Sequence, residues 1–195
     1  MSTFPLTGSQ TVGPFFSPAL LREGARRNVL TRPETAGERI RIEGSVLDGD
    51  GVPVPDAMVE IWQANAHGRY NHPADQGPAE LDSSFLGFGR SGTEEDGSYW
   101  FETVRPGPVP FDAERQQLQA PHICVTVFAR GLLNHLVTRL YFEDEPTNAG
   151  DPVLQHVPDH RQATLLARRE PGSARVVYRF DIVLQGAGET AFFNL

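Results

Sequence analysis

Three short segments of this 195-residue chain carry side chains whose types and spacing could do chemistry. The first, Val59-Glu-Ile-Trp-Gln-Ala-Asn-Ala-His-Gly-Arg-Tyr70, leaves an apolar alternation, enters polar loop sequence and ends on a tyrosine. A phenol there is free to act as a ligand or hydrogen-bond donor, or simply to sit as a partly buried loop aromatic. The second, Pro106-Gly-Pro-Val-Pro-Phe111, is a turn stiffened by three prolines that brings few functional groups of its own. The third is Ala120-Pro-His-Ile-Cys124. Positions i and i+2 of a strand share a face, so His122 and Cys124 point the same way. Two N/S groups on one face could hold a metal, although a core histidine beside a core cysteine is the commoner arrangement.

Other chemistries are excluded quickly. There is no G-x-S-x-G elbow and no H-E-x-x-H pair. All 17 basic residues are Arg, so a phosphate-cradling loop with its Lys is impossible. Cys124 is the only cysteine, which rules out a disulfide framework or a multi-cysteine zinc or iron–sulfur site within one chain. The 25 acidic residues give a net charge of −8, and Glu143-Asp-Glu145 reads as a solvated run at a strand end. Without a basic cluster the chain has no electrostatic case for binding nucleic acid or an anionic membrane. Residues 1–20 show no basic n-region and no unbroken apolar stretch, and no apolar run nears the roughly 18 residues of a membrane span. The expected location is cytoplasmic.

The elements that must position these groups read as strands. Arg39–Asp48 alternates Ile40, Ile42 and Val46 with polar residues and stops at Asp48-Gly-Asp-Gly51. Ala57–Gln63, Tyr99–Val104, His122–Ala129, His135–Phe142, Thr164–Arg168 and Arg175–Gln185 bring the count to at least seven. Arg130-Gly131 resembles a hairpin connection. Short spacing, 19 Gly and 16 Pro favour an all-β antiparallel β-sandwich with an extended N-terminal arm and short helices. Ser17–Arg27 begins Ser-Pro and suits a short helix, and Ala149–His160 has room for another turn or two. The expected division is an arm and short helix over 1–30 and a β-sandwich over 31–195.

Taken together and in this order, the segments resemble the intradiol ring-cleaving dioxygenases. The likeness runs from Gly8-Ser-Gln-Thr-Val-Gly-Pro14 to Gly186-Ala-Gly-Glu-Thr-Ala-Phe-Phe193. Its most distinctive stretches are VEIWQANAHGRY, VRPGPVPF, APHICVTVFARG and HLVTRLYFEDE. It is strongest toward the protocatechuate 3,4-dioxygenases, which pair an α with a β subunit. Iron-binding members hold a non-haem Fe(III) with two Tyr and two His, in G-x-Y, P-G-P-Y-P-W and R-P-A-H-I-H segments. Carried over without a gap, those four ligands correspond to Tyr70, Val109, His122 and Cys124, and the Arg of the last motif to Gln119. Fe(III) favours phenolate and imidazole, so Val109 and Cys124 break the set. The resemblance therefore implies an α-type subunit without its own metal site or catalytic residues, with Fe(III) bound by the β partner.

By the same resemblance, residues of such a subunit line part of the partner's active site. The positions implied as substrate-binding are Thr11, Gly13 and Pro14 in the arm, together with Arg130. Protocatechuate carries a carboxylate, for which a guanidinium, a hydroxyl and an open backbone N–H are suitable groups. The implied partners are the iron-binding β subunit, protocatechuate and O2, and the implied product is 3-carboxy-cis,cis-muconate. Two alternatives stay open at this point. One is a β-sandwich binding or scaffold module with no part in catalysis. The other is a self-sufficient dioxygenase using an altered metal at Tyr70, His122 and Cys124.

Overall fold

The computed structural model describes residues 8, 10–112 and 117–194. Residues 1–7 and Ser9 of the expected arm lie outside the described residues. A short helix, α1 (Phe16–Leu20), is the first element among the described residues, confirming helix near Ser17 but ending it well before Arg27. The strands follow as β1 (Arg39–Leu47), β2 (Met58–Trp62), β3 (Phe88–Gly92) and β4 (Ser98–Val104). Next come β5 (Val109–Asp112), β6 (Gln117–Gln119), β7 (His122–Phe128) and β8 (Leu136–Phe142). A run of 3-10 turns and the single-turn helix α2 (Asp159–Gln162) leads to β9 (Leu166–Glu170), β10 (Val176–Arg179) and β11 (Ile182–Val183).

Alternation explains the inner faces. In β1, Ile40, Ile42 and Val46 are buried while Arg39, Arg41 and Glu43 face outward. Ile123, Val125 and Val127 of β7 do the same, leaving His122, Cys124 and Thr126 on the opposite face. One core joins Ile42, Phe101 and Tyr178 from the β1–β4–β10 side to Ile61, Val125 and Leu140 from the β2–β7–β8 side. β9 links the two sides by pairing with β8 and with β10.

The chain is mostly β, as expected, but its main sheet is mixed rather than wholly antiparallel. β1 runs parallel to β10 and β11, and β8 runs parallel to β9. Parallel neighbours need a long crossover. The turns and helix between Phe142 and Leu166 supply one, looping the chain back so that β9 starts beside the last residues of β8, Leu166 opposite Tyr141 and Ala167 opposite Phe142. The expected strand Arg175–Gln185 is two strands, interrupted at Phe180-Asp181. There the Phe180 carbonyl presses so close to Gly44 that a Cβ on Gly44 would lie 1.8 Å from its oxygen. β3, β5 and β6 were not anticipated: β3 holds three glycines or serines, and β5 contains a proline. The hairpin of β7 and β8 is present, with Gly131 at φ +88° in a longer connection than two residues.

Candidate functional site

The motif around Tyr70 is built chiefly by its amides. Gln63 is fully buried and donates to the Ala64 and Val104 carbonyls at 3.1 and 3.0 Å, while accepting from Thr103 Oγ1 at 2.7 Å. Asn65 Oδ1 accepts from the backbone N–H groups of His67 and Arg69, curling the chain after β2. The loop then meets the Pro106–Pro108 turn at a contact only glycine permits. A Cβ on Gly68, which has φ +81°, would lie 2.0 Å from the Pro108 oxygen, and one on Gly107 would lie 2.6 Å from Gly68 N. The glycines of HGRY and RPGP thus bring the Tyr70 loop against the start of β5, where Val109 sits.

Register assembles the rest. Val109 pairs with Gln119 across β5 and β6. Across β7 and β8, His122 pairs with Tyr141 and Cys124 with Arg139, while Cys124 also faces Trp62 on β2. Tyr70 stacks on Trp62 at 5.7 Å between ring centroids. All four positions implied by the resemblance, Tyr70, Val109, His122 and Cys124, therefore gather at one end of the sheet.

Their chemistry is set by burial. It pushes the Tyr70 phenol well above its ordinary value, aided by the nearby Cys124, so the oxygen keeps its proton. Burial also raises the Cys124 thiol despite the opposing charge of Arg139. His122 is driven down to about 4, by burial first and Arg139 second, so its ring is neutral near pH 7. With the Ala120 carbonyl 2.8 Å away, Nδ1 carries the proton and donates it there.

Two functional neighbours escaped the sequence reading. The Arg139 guanidinium donates to Gln119 Oε1 at 2.7 Å and to the Tyr141 hydroxyl at 3.3 Å. Behind it, fully buried Asp151 accepts from the Tyr141 hydroxyl at 3.0 Å and from Ala120 N at 2.8 Å. Asp151 also accepts from Val153 N and Leu154 N, tying the crossover turns to the start of β7. The available signal was period two: in HLVTRLYF the apolar Leu140 and Phe142 face the core, which places Arg139 and Tyr141 on the face of His122 and Cys124.

This donor set does not fit Fe(III). Val109 is a buried hydrocarbon, Cys124 is held as a thiol, and a guanidinium stands beside the two retained donors. Among the described residues, no cluster of three or more His, Cys, Asp or Glu is placed to hold a metal ion.

The other expected site residues lie elsewhere. Phe128 is four residues beyond Cys124, roughly 13 Å along the strand, and Arg130 follows it. Val12 packs with Phe128 against a small cluster of Phe16, Leu21 and Met58. That contact brings Thr11, Gly13 and Pro14, all exposed, to the Arg130 end of the sheet. Arg130 is 68% exposed and pairs with Asp56, whose φ of +59° is unusual for a non-glycine residue. Phe15 and Leu133, 80% and 81% exposed, flank the same end. The structure therefore gathers the expected residues into two groups at opposite ends of β7.

Comparison with known proteins shows the family and the fold. A family model described as dioxygenase matches residues 12–186. The chain is 43% identical to the protocatechuate 3,4-dioxygenase alpha chain of Burkholderia cepacia, across the whole of both chains. It is 39% identical to the beta chain from the same organism, over 95% of this chain and 78% of that one. In fold it is similar to the 3-chlorocatechol 1,2-dioxygenase of Rhodococcus opacus 1CP, with a TM-score of 0.64 and 20% identity, covering 93% of this chain and 69% of that one.

Proposed function

The chain belongs to the intradiol ring-cleaving dioxygenase family, and we propose that it is the iron-free, α-type half of a protocatechuate 3,4-dioxygenase. One observation carries this reading: a full-length likeness to alpha chains coexists with a ligand set in which Val109 and protonated Cys124 replace two metal donors. Fe(III) then resides in a β-type partner, and this chain contributes substrate positioning, burial of the shared site and assembly. The reaction of the whole enzyme consumes protocatechuate and O2 and gives 3-carboxy-cis,cis-muconate. Both oxygen atoms enter the product as the bond between the hydroxylated carbons breaks.

The Arg130 end is the part offered to the partner. Its exposed Phe15 and Leu133 are apolar surface suited to burial in a contact. Arg130 supplies a guanidinium for the substrate's carboxylate, and Thr11, Gly13 and Pro14 line the approach. Its ion pair with Asp56 is solvent-exposed, so redirecting Arg130 toward a substrate costs little. Holding the carboxylate fixes the ring relative to the reacting centre, a positional contribution to rate. Among the described residues no helix is long and apolar enough to cross a membrane, and a cytoplasmic assembly suits this small aromatic substrate.

Oxygen uptake with protocatechuate tests the reading. The chain alone is expected to be inactive, and activity is expected on mixing or co-expression with a β-type chain. Turnover by this chain alone would refute it.

A further inference from the structure

We propose that the Arg139 guanidinium stands in the place of the metal ion, so that this chain excludes iron through a built-in cation and not merely for want of two ligands. The inference rests on the family correspondence of Tyr70, Val109, His122 and Cys124, and on no assumption about a partner chain.

Register supplies the argument. Each of the last three positions has a direct ladder neighbour that is either Arg139 or a residue Arg139 bonds. Cys124 lies opposite Arg139 itself. Val109 lies opposite Gln119, whose Oε1 accepts from the guanidinium at 2.7 Å. His122 lies opposite Tyr141, whose hydroxyl accepts from it at 3.3 Å, and the two rings are 5.7 Å apart. The fourth position, Tyr70, stacks on Trp62, which lies opposite Cys124 on its other side. Tyr70, His122 and Cys124 all sense the positive charge of Arg139. A fixed cation bonded to the ladder neighbours of Val109 and His122, and lying opposite Cys124, repels a second cation at this site.

The position of the charge is informative too. The resemblance places an Arg where this chain has Gln119, so the guanidinium of that position is missing here. The structure returns one from the neighbouring strand β8, hydrogen-bonded to that same glutamine. Burial alone would disfavour its charge, but the hydrogen bond to Tyr141 and the Asp151 carboxylate outweigh burial and hold the guanidinium above its ordinary value.

The test uses the full-length chain and Fe(III) loading, read as metal content and as the visible tyrosinate-to-iron absorption. Restoring the donors alone, as Val109→Tyr with Cys124→His, is expected to leave the chain colourless and iron-free. Adding Arg139→Gln to that pair is expected to give stoichiometric iron and the coloured band. Adding Arg139→Lys instead, which keeps the charge, is expected to remain iron-free. Melting curves establish that each variant is folded; should the Gln variant melt below the loading temperature, Arg139→Met in the same background takes its place. The proposal is overturned if the donor-restored chain loads iron with Arg139 intact. It is equally overturned if the folded Gln or Met variant stays empty, or if the Lys variant loads as well as the Gln variant.

Discussion

Replacing Asp151 should reveal how the crossover turns and the strand carrying His122 are held together. Its Oδ1 accepts three hydrogen bonds, from Tyr141 OH, Val153 N and Leu154 N, and its Oδ2 accepts one from Ala120 N. The residue is fully buried. Asp151→Asn can keep its carbonyl oxygen at the Oδ1 position and so preserve three bonds, but its amide then faces the Ala120 N–H donor. One buried donor left unsatisfied costs about 2 kcal/mol, which for a chain of this length is roughly 4–8 °C in Tm. Asp151→Ala strips partners from all four donors at once. Allowing for water to recover part of the loss, the cost should be about 4–6 kcal/mol, or roughly 10–20 °C. Thermal melts followed by circular dichroism at pH 7 measure both. A shift under about 2 °C for the Ala variant, or a larger one for Asn than for Ala, would refute the assignment of Asp151 as the anchor.

Gly107→Ala would force a Cβ to within 2.6 Å of both the Ala66 oxygen and the Gly68 nitrogen. It should cost about 2–3 kcal/mol, and an unchanged Tm would show that the Tyr70 loop and the β5 turn part easily. Arg130→Ala removes only an exposed ion pair, so the stability of this chain should change by less than about 1 kcal/mol. In the assembled enzyme the same change should lower kcat/KM for protocatechuate about ten- to a hundredfold, the loss of one charge-assisted hydrogen bond; unaltered kinetics would place Arg130 outside the pocket. Acid stability should depend on Arg105. Burial alone would raise the Asp144 carboxyl, but bonds from Arg105 at 2.9 Å and from Tyr178 hold it below the usual range. With its folded pKa depressed, Asp144 stabilises the fold above the ordinary carboxylate value, and that contribution is lost as pH falls through the folded one. The gap in urea midpoint between the native chain and Arg105→Met should therefore be wide at neutral pH and narrow in acid; an equal gap at both would contradict this origin.

The strands were legible wherever one face was apolar and the other charged, as in Arg39–Leu47 and His122–Phe128. They were not legible where packing against a neighbour replaced side-chain pattern. Gly89 and Gly92 of β3 leave no alternation to read, yet a Cβ on Gly89 would strike Ile61 and Leu30. Parallel pairing was hidden because strand direction is decided by the crossover from Phe142 to Leu166, whose turns carry little periodicity. At the candidate site, the family resemblance singled out Tyr70, Val109, His122 and Cys124, which the fold brings to one end of the sheet. Arg139 stayed unseen because an arginine in an alternating strand reads as a solvent-facing charge. Only the β7–β8 register turns it toward Cys124.

The most direct test is iron bookkeeping by native mass spectrometry on this chain co-expressed with a β-type partner, before and after the subunits are separated. The expected result is one iron for each pair of chains, all of it on the partner, with this chain carrying none. Iron retained by this chain after separation, or two irons for each pair, would contradict the reading of it as the half that positions substrate for another subunit's metal.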